Sequence, residues 1–154
     1  MSHQTTTRGF IEGALQDARF AVLATEGNGQ PHASLIAVTP VEGFRQLIFA
    51  TYRNTRKFRN MADNGKVAVL IDGRASGSSG LQEDLVLTVL GYAEEIGAED
   101  RESAFSAHLA RHPDLESFLR SPDCAIVSIA VSEYQVVLGI NDVRWCSVDD
   151  LVFT

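Results

Sequence analysis

The sequence predicts a mostly β fold, an antiparallel barrel with helices inserted between its strands, spanning residues 1–154 as a single domain. The first observation is a succession of short apolar runs that read as strands: 20–25 (FAVLAT), 32–38 (HASLIAV), 47–51 (LIFAT), 66–72 (KVAVLID), 85–94 (LVLTVLGYAE), 125–131 and 134–140. The second is that the connections are short and turn-like, without the regular strand-helix alternation of a parallel sheet, and no GxGxxG occurs. The third is an ordinary globular composition, 45% hydrophobic and 21% charged over 154 residues, enough for one continuous core without disulfides or a structural metal.

In chain order, Thr6 or Thr7 is placed to cap a helix running to about Ala18, since Phe10, Ile11, Ala14, Leu15 and Ala18 recur at helical spacing. Runs 20–25 and 32–38 then form a hairpin across Glu26-Gly27-Asn28-Gly29-Gln30, whose glycines permit positive φ. A second turn over 40–44 leads into strand 47–51. A helix follows from residue 55 to about 64, with Phe58, Met61 and Ala62 as its core stripe. Strands 66–72 and 85–94 flank a glycine- and serine-rich loop, 73–80, which lacks the GK[ST] ending of a phosphate loop. Helical spacing returns over 99–111 and 115–119 before the last two β runs. The apolar faces of Leu85-Val86-Leu87 and Ile126-Val127 exceed what three short helices cover, which calls for a two-fold partner.

A formal net charge of -7 and a pI of about 5.0 repel nucleic acid and anionic membranes, so neither is expected as a partner and any anion site must be local. No apolar signal segment opens the sequence and no run approaches the roughly 20 residues of a membrane span, so the protein is expected to be cytoplasmic. Cys124 and Cys146 lack ligand spacing and read as reduced, buried thiols. His108 and His112 stand four apart on a helix, but Leu-Ala-Arg between them supplies no HExxH glutamate. They read as a surface pair, His32 reads as a partly exposed packing residue, and no metal site is expected.

The chemistry concentrates in ATYRNTRKFRNM, residues 50–61, where Arg53, Arg56, Lys57 and Arg59 cluster in an otherwise acidic chain. With Asn54 or Thr55 as N-cap, Arg56 and Lys57 fall in the first helical turn, where the helix dipole disfavours cations by about 0.3–1 kcal/mol each. A bound phosphate would repair that defect through the Thr55 hydroxyl, first-turn amides and cationic side chains. The plain alternative is a solvated basic face.

Gly29-Gln30-Pro31 entering a strand, then IFAT, a short turn, Thr55-Arg56-Lys57, Asn60 and the VAVLID strand resemble the flavin-binding half of the pyridoxamine 5'-phosphate oxidase-like family. The resemblance implies a split β-barrel, a homodimer with FMN at its interface, and an oxidoreductase acting on a small molecule. It implicates Ala50 and Thr51 along the ring and ribityl chain, Thr55, Arg56 and Lys57 at the phosphate, and Ser34, Leu35 and Ile36 at the pyrimidine edge. Trp145 would cover the partner's flavin or seal the interface. A non-enzymatic flavin-binding or redox-sensing protein, and a deazaflavin- or haem-binding relative, remain open on the same fold.

Departures from the family pattern point away from vitamin B6. Ser34 and Thr39 stand where the true oxidases carry arginine and lysine. Trp145 is followed by Cys-Ser-Val-Asp-Asp rather than an Arg-x-His pair, with Arg144 on its other side. The substrate is expected to have diverged.

Overall fold

The computed structural model describes residues 3–73, 85–139 and 141–151, so most of the predicted 73–80 loop lies outside the described residues. Helix α1 (His3–Asp17) is followed by β1 (Phe20–Gly27), β2 (Gln30–Ala37), β3 (Thr39–Val41) and β4 (Gln46–Tyr52). Then come α2 (Arg56–Asp63), β5 (Lys66–Asp72), β6 (Leu85–Glu95), α3 (Ala98–Arg111), a 3-10 turn Pro113–Leu115, α4 (Glu116–Leu119), β7 (Cys124–Leu138) and β8 (Val143–Ser147).

The strands form one antiparallel sheet in the order β2-β1-β5-β6-β7-β4-β3, curled into a split barrel, with β8 added along β7. Strand β7 organises it. Its first half pairs with β4, its second half with β8, and β6 lies along its other edge from Val127 to Leu138. The β6 register shifts between Leu90 and Gly91, where a Cβ on Gly91 would lie 2.5 Å from the Ala130 carbonyl oxygen; only glycine admits that approach.

Period-two alternation sends Leu23, Leu47, Phe49, Val69, Leu87, Val89, Ile129, Tyr134 and Val136 into the barrel interior, all essentially without exposure. Ile11 and Leu15 of α1 join this core. Each such side chain contributes roughly 1.5–3 kcal/mol by leaving water. Arg111 of α3 donates to the carbonyls of Leu15, Gln16 and Ala18, satisfying the C-terminal end of α1 from another element.

Several expectations change. Helix α1 begins at His3, so Thr7 is an interior helical residue, buried and bonded through Oγ1 to Arg144 at 3.3 Å, and neither Thr6 nor Thr7 is its cap. The Asn28-Gly29 pair has φ of 53° and 81°, the primed hairpin turn. The 40–44 turn begins as a short strand, because β3 pairs with β4 from Thr39 to Val41. Runs 125–131 and 134–140 join in one strand that ends at Leu138, because pairing with β6 resumes on both sides of Ser132, the extra residue of the bulge. Ala62 is exposed, leaving Met61 as the buried residue of α2. Leu85, Leu87, Ile126 and Val127 are buried within the chain itself and Val86 is half-buried, so these runs do not form the uncovered apolar face expected. Cys124 is buried and Cys146 half-buried, both free. Among the described residues no helix is long and apolar enough to cross a membrane.

Candidate functional site

The curled sheet fails to close between β2 and β4, and α3, the 3-10 turn and α4 lie against this gap. The result is a cleft of about 300 Å³ lined by Leu35 and Ile36 of β2, Ala50, Thr51 and Tyr52 of β4, and Thr55 and Lys57 at the start of α2. Phe20, Ala37, His108, Leu115 and Phe118 complete its walls. Most predicted site residues thus meet at one place. Two do not. Arg56 is exposed and faces a separate surface depression with Gly27, Asn28, Gln30, Arg59, Asn60 and Asp63. Ser34 lies on β2 opposite Leu23, outside the cleft lining, with its Oγ buried and without a hydrogen-bond partner.

Thr55 is the N-cap of α2, accepting from the Phe58 amide at 3.3 Å. Its hydroxyl donates to the Tyr52 carbonyl at 2.8 Å and lies 3.0 Å from Thr51 Oγ1, so the cap itself uses this group. Beyond it the amides of Arg56 and Lys57 have no partner among the described residues, as expected for a first turn, and no acidic residue occupies that turn. The Lys57 ammonium has no ion-pair partner among the described residues, and burial pushes its pKa down. Arg53, by contrast, is structural. It pairs with Glu95 at 2.6 Å and donates to the Pro122 carbonyl, tying the β4–α2 turn to β6 and the start of β7.

His108 and His112 are not a surface pair: each is 1% exposed. His112 Nε2 lies 2.8 Å from the Val38 carbonyl and therefore donates to it. His108 Nδ1 lies 2.8 Å from Thr39 Oγ1. The ring centroids are 4.8 Å apart. Burial pulls the His108 pKa down to about 4, with repulsion from His112 and Arg111 adding to it, so the imidazole is neutral at pH 7. Among the described residues no group of His, Cys, Asp and Glu is arranged to hold a metal.

Residues 8–138 match the family profile of pyridoxamine 5'-phosphate oxidase. The chain belongs to the pyridoxamine 5'-phosphate oxidase family. No curated protein matches its sequence. Among solved structures, a haem binding protein from Mycobacterium smegmatis superposes with a TM-score of 0.79 at 18% identity, covering 97% of this chain and 60% of its own. ChuZ from Campylobacter jejuni gives 0.80 at 11% identity, covering 100% and 64%. A Clostridium acetobutylicum protein related to general stress protein 26, of the pyridoxinephosphate oxidase family, gives 0.68 at 13% identity, covering 96% and 95%. These likenesses show the shared fold, and the first two relatives are longer chains of which this one spans under two thirds.

Within this family member, Trp145 is not among the residues that line its own cleft. It lies on β8, 53% exposed, at the end of a cross-strand row that runs Leu35, Val22, Leu70, Thr88, Gln135, Trp145. Five interstrand steps of about 4.8 Å put it roughly 24 Å along the sheet from Leu35. Arg144 beside it is engaged by Asp142 at 3.0 Å. Sequence reasoning missed the α3 wall of the cleft. The signal was present in Ala104, His108 and His112, spaced four apart, which is the buried stripe of a helix.

Proposed function

We propose that this chain is a homodimeric FMN-binding flavoprotein, an oxidoreductase whose substrate has diverged from the vitamin B6 phosphates. The observation that carries the reading is Lys57: a half-buried cation with no ion-pair partner among the described residues, beside two first-turn amides likewise without partners there, at one end of a mostly apolar cleft. That combination asks for a ligand with an anionic tail and a flat apolar body. Bound FMN would supply the hydride or electron chemistry. The chain's own part is to hold the phosphate with the Arg56 and Lys57 amides and Lys57 Nζ, and to keep water from the ring with Leu35, Ile36, Ala50 and Phe118. Arg56 adds charge near the helix end from outside the cleft.

The dimer rests on a different surface from the one the sequence indicated. Phe20, Val22, Leu35, Leu70, Val143 and Trp145 are all exposed on the outer face of the sheet, an apolar patch that a soluble monomer rarely leaves open. Phe20 and Leu35 also line the cleft, which therefore opens onto this patch. In a two-fold contact the patch meets itself, and the Trp145 end of one protomer falls toward the Leu35 end of the other. That geometry supports Trp145 as a cover for the partner's flavin.

Thr39 turns its hydroxyl to His108 inside the protein, which leaves no cation there for a substrate phosphate and supports a changed substrate.

The absorption spectrum of the purified protein, and FMN titration of the stripped protein, test the reading. Flavin bands with FMN released on denaturation, and stoichiometric rebinding, are expected; a Soret band or no flavin uptake would overturn it. Bleaching by NADH or NADPH followed by reoxidation in air separates an enzyme from a sensor.

A further inference from the structure

We infer that His108 donates a hydrogen bond from Nε2–H to an acceptor atom of the ring system in the cleft, a carbonyl oxygen or ring nitrogen of the flavin. This rests on the FMN reading above.

The donor assignment follows from counting protons. Thr39 is 5% exposed and its hydroxyl has one partner among the described residues, His108 Nδ1 at 2.8 Å. Were Nδ1 protonated, it would donate to Thr39 Oγ1 and leave the hydroxyl proton buried without an acceptor. If instead the hydroxyl donates to Nδ1, that proton is used and only a lone pair on Thr39 goes unfilled. Buried donors without partners are rarer than acceptors with one vacant lone pair, so the second arrangement wins. The imidazole proton then sits on Nε2. That nitrogen has no hydrogen-bond partner among the described residues, on a side chain that lines the cleft.

His112 cannot compete for the role, because its Nε2 donates to the Val38 carbonyl. The adjacent residues Val38 and Thr39 thus hold both imidazoles in place. The other cleft-lining residues from α3 to α4, Leu115 and Phe118, are apolar, which makes His108 the polar point of that wall among the described residues. A neutral donor there favours a ligand presenting an uncharged acceptor and gives no charge to an anion. It is therefore a specificity determinant complementary to Lys57, which takes the anionic end.

Two measurements test this. In the unliganded protein, ¹⁵N NMR of the histidine side chains reads the tautomer directly. Protonation of His108 at Nε2 near neutral pH is expected, and protonation at Nδ1, or at both nitrogens, would overturn the assignment whatever the cofactor is. On adding FMN to wild-type protein, the His108 Nε2 resonance should move, and an unmoved resonance with FMN bound would overturn the contact without any variant. In FMN titrations, His108→Phe should weaken binding roughly 3- to 10-fold, the loss of one neutral hydrogen bond. His108→Gln, which places an amide donor near the Nε2 position, should recover most of it. A folded His108→Phe protein that binds FMN as wild type does refutes the contact. Should wild type take up no FMN, the proposed function falls, while the tautomer measurement still decides the donor.

Discussion

Lowering the pH should destabilise this protein through His108 in particular. The imidazole titrates near 6.5 in the unfolded chain and at about 4 in the fold. Between those values the unfolded state binds the extra proton, so stability is complete above about pH 6.5 and is lost as pH falls toward 4. At about 1.4 kcal/mol per tenfold change in proton affinity, the full gap corresponds to about 3 kcal/mol, and about 2 to 3 kcal/mol of it is reached by pH 4.5. Against a domain stability of roughly 5–15 kcal/mol that is a large share. The groups facing the ring are His112, Arg111 and the uncharged Thr39, none of which offers a counter-charge to the imidazolium. Urea unfolding followed by circular dichroism at about pH 7.5, 6 and 4.5 measures the effect, with His108→Gln as the control that cannot titrate there. The variant should start less stable, having lost the Thr39 bond, yet lose about 2 to 3 kcal/mol less on acidification. Parallel curves for the two proteins would refute the reasoning.

Other outcomes follow from the same geometry. Lys57→Met should weaken FMN binding by about 10- to 100-fold, the loss of a charge-assisted contact, and Arg56→Met by much less, because only Lys57 lines the cleft; equal losses in calorimetric titration would place Arg56 at the phosphate too. Gly91→Ala should cost about 1–3 kcal/mol and lower the melting temperature, since its Cβ would meet backbone at the β6–β7 bulge; an unchanged melting curve would contradict the close approach. Leu70→Glu places a charge in the middle of the outer apolar row without touching the cleft, and sedimentation should show monomer in place of dimer. A dimer that survives the change would move the interface elsewhere.

What the sequence made legible was the local part. Strands 66–72 and 85–94 and helix 55–64 were read almost to the residue, because alternation, the Thr55 cap and the Asn64 end are encoded within a few positions. Strand β8 went unread since VRWCS is only five residues long and sits in a polar stretch, and its strand character comes from pairing with Glu133–Val137. The burial of His108 and His112 depends on Thr39 and Val38, each about seventy residues earlier, and no local pattern carries that. The division between Lys57 and Arg56 was likewise invisible, because adjacent residues on a helix point about 100° apart and only the tertiary position of β2 and β4 decides which one meets the cleft. Nor was it legible that the chain's own core buries Leu85, Leu87, Ile126 and Val127, or that Leu35, Val22, Leu70 and Trp145 are the residues left exposed.

The double use of β7 has a consequence for synthesis. Strand β4 pairs with β3 at once, but its other edge waits for Cys124–Ala130, which lie nearly eighty residues later in the chain. At a translation rate of about 5–20 residues per second, that edge stays open for roughly 4 to 16 s on a growing polypeptide. During that interval Leu47, Ile48 and Phe49 form an apolar ribbon with one open edge, of the kind that pairs with other chains. Long-range pairings of this sort also slow folding after release, because the loop must close before the contacts can form. The wall of the cleft that carries Ala50 and Thr51 is therefore among the last parts of the molecule to be built. Any ligand of the cleft can thus be captured only after the chain is complete.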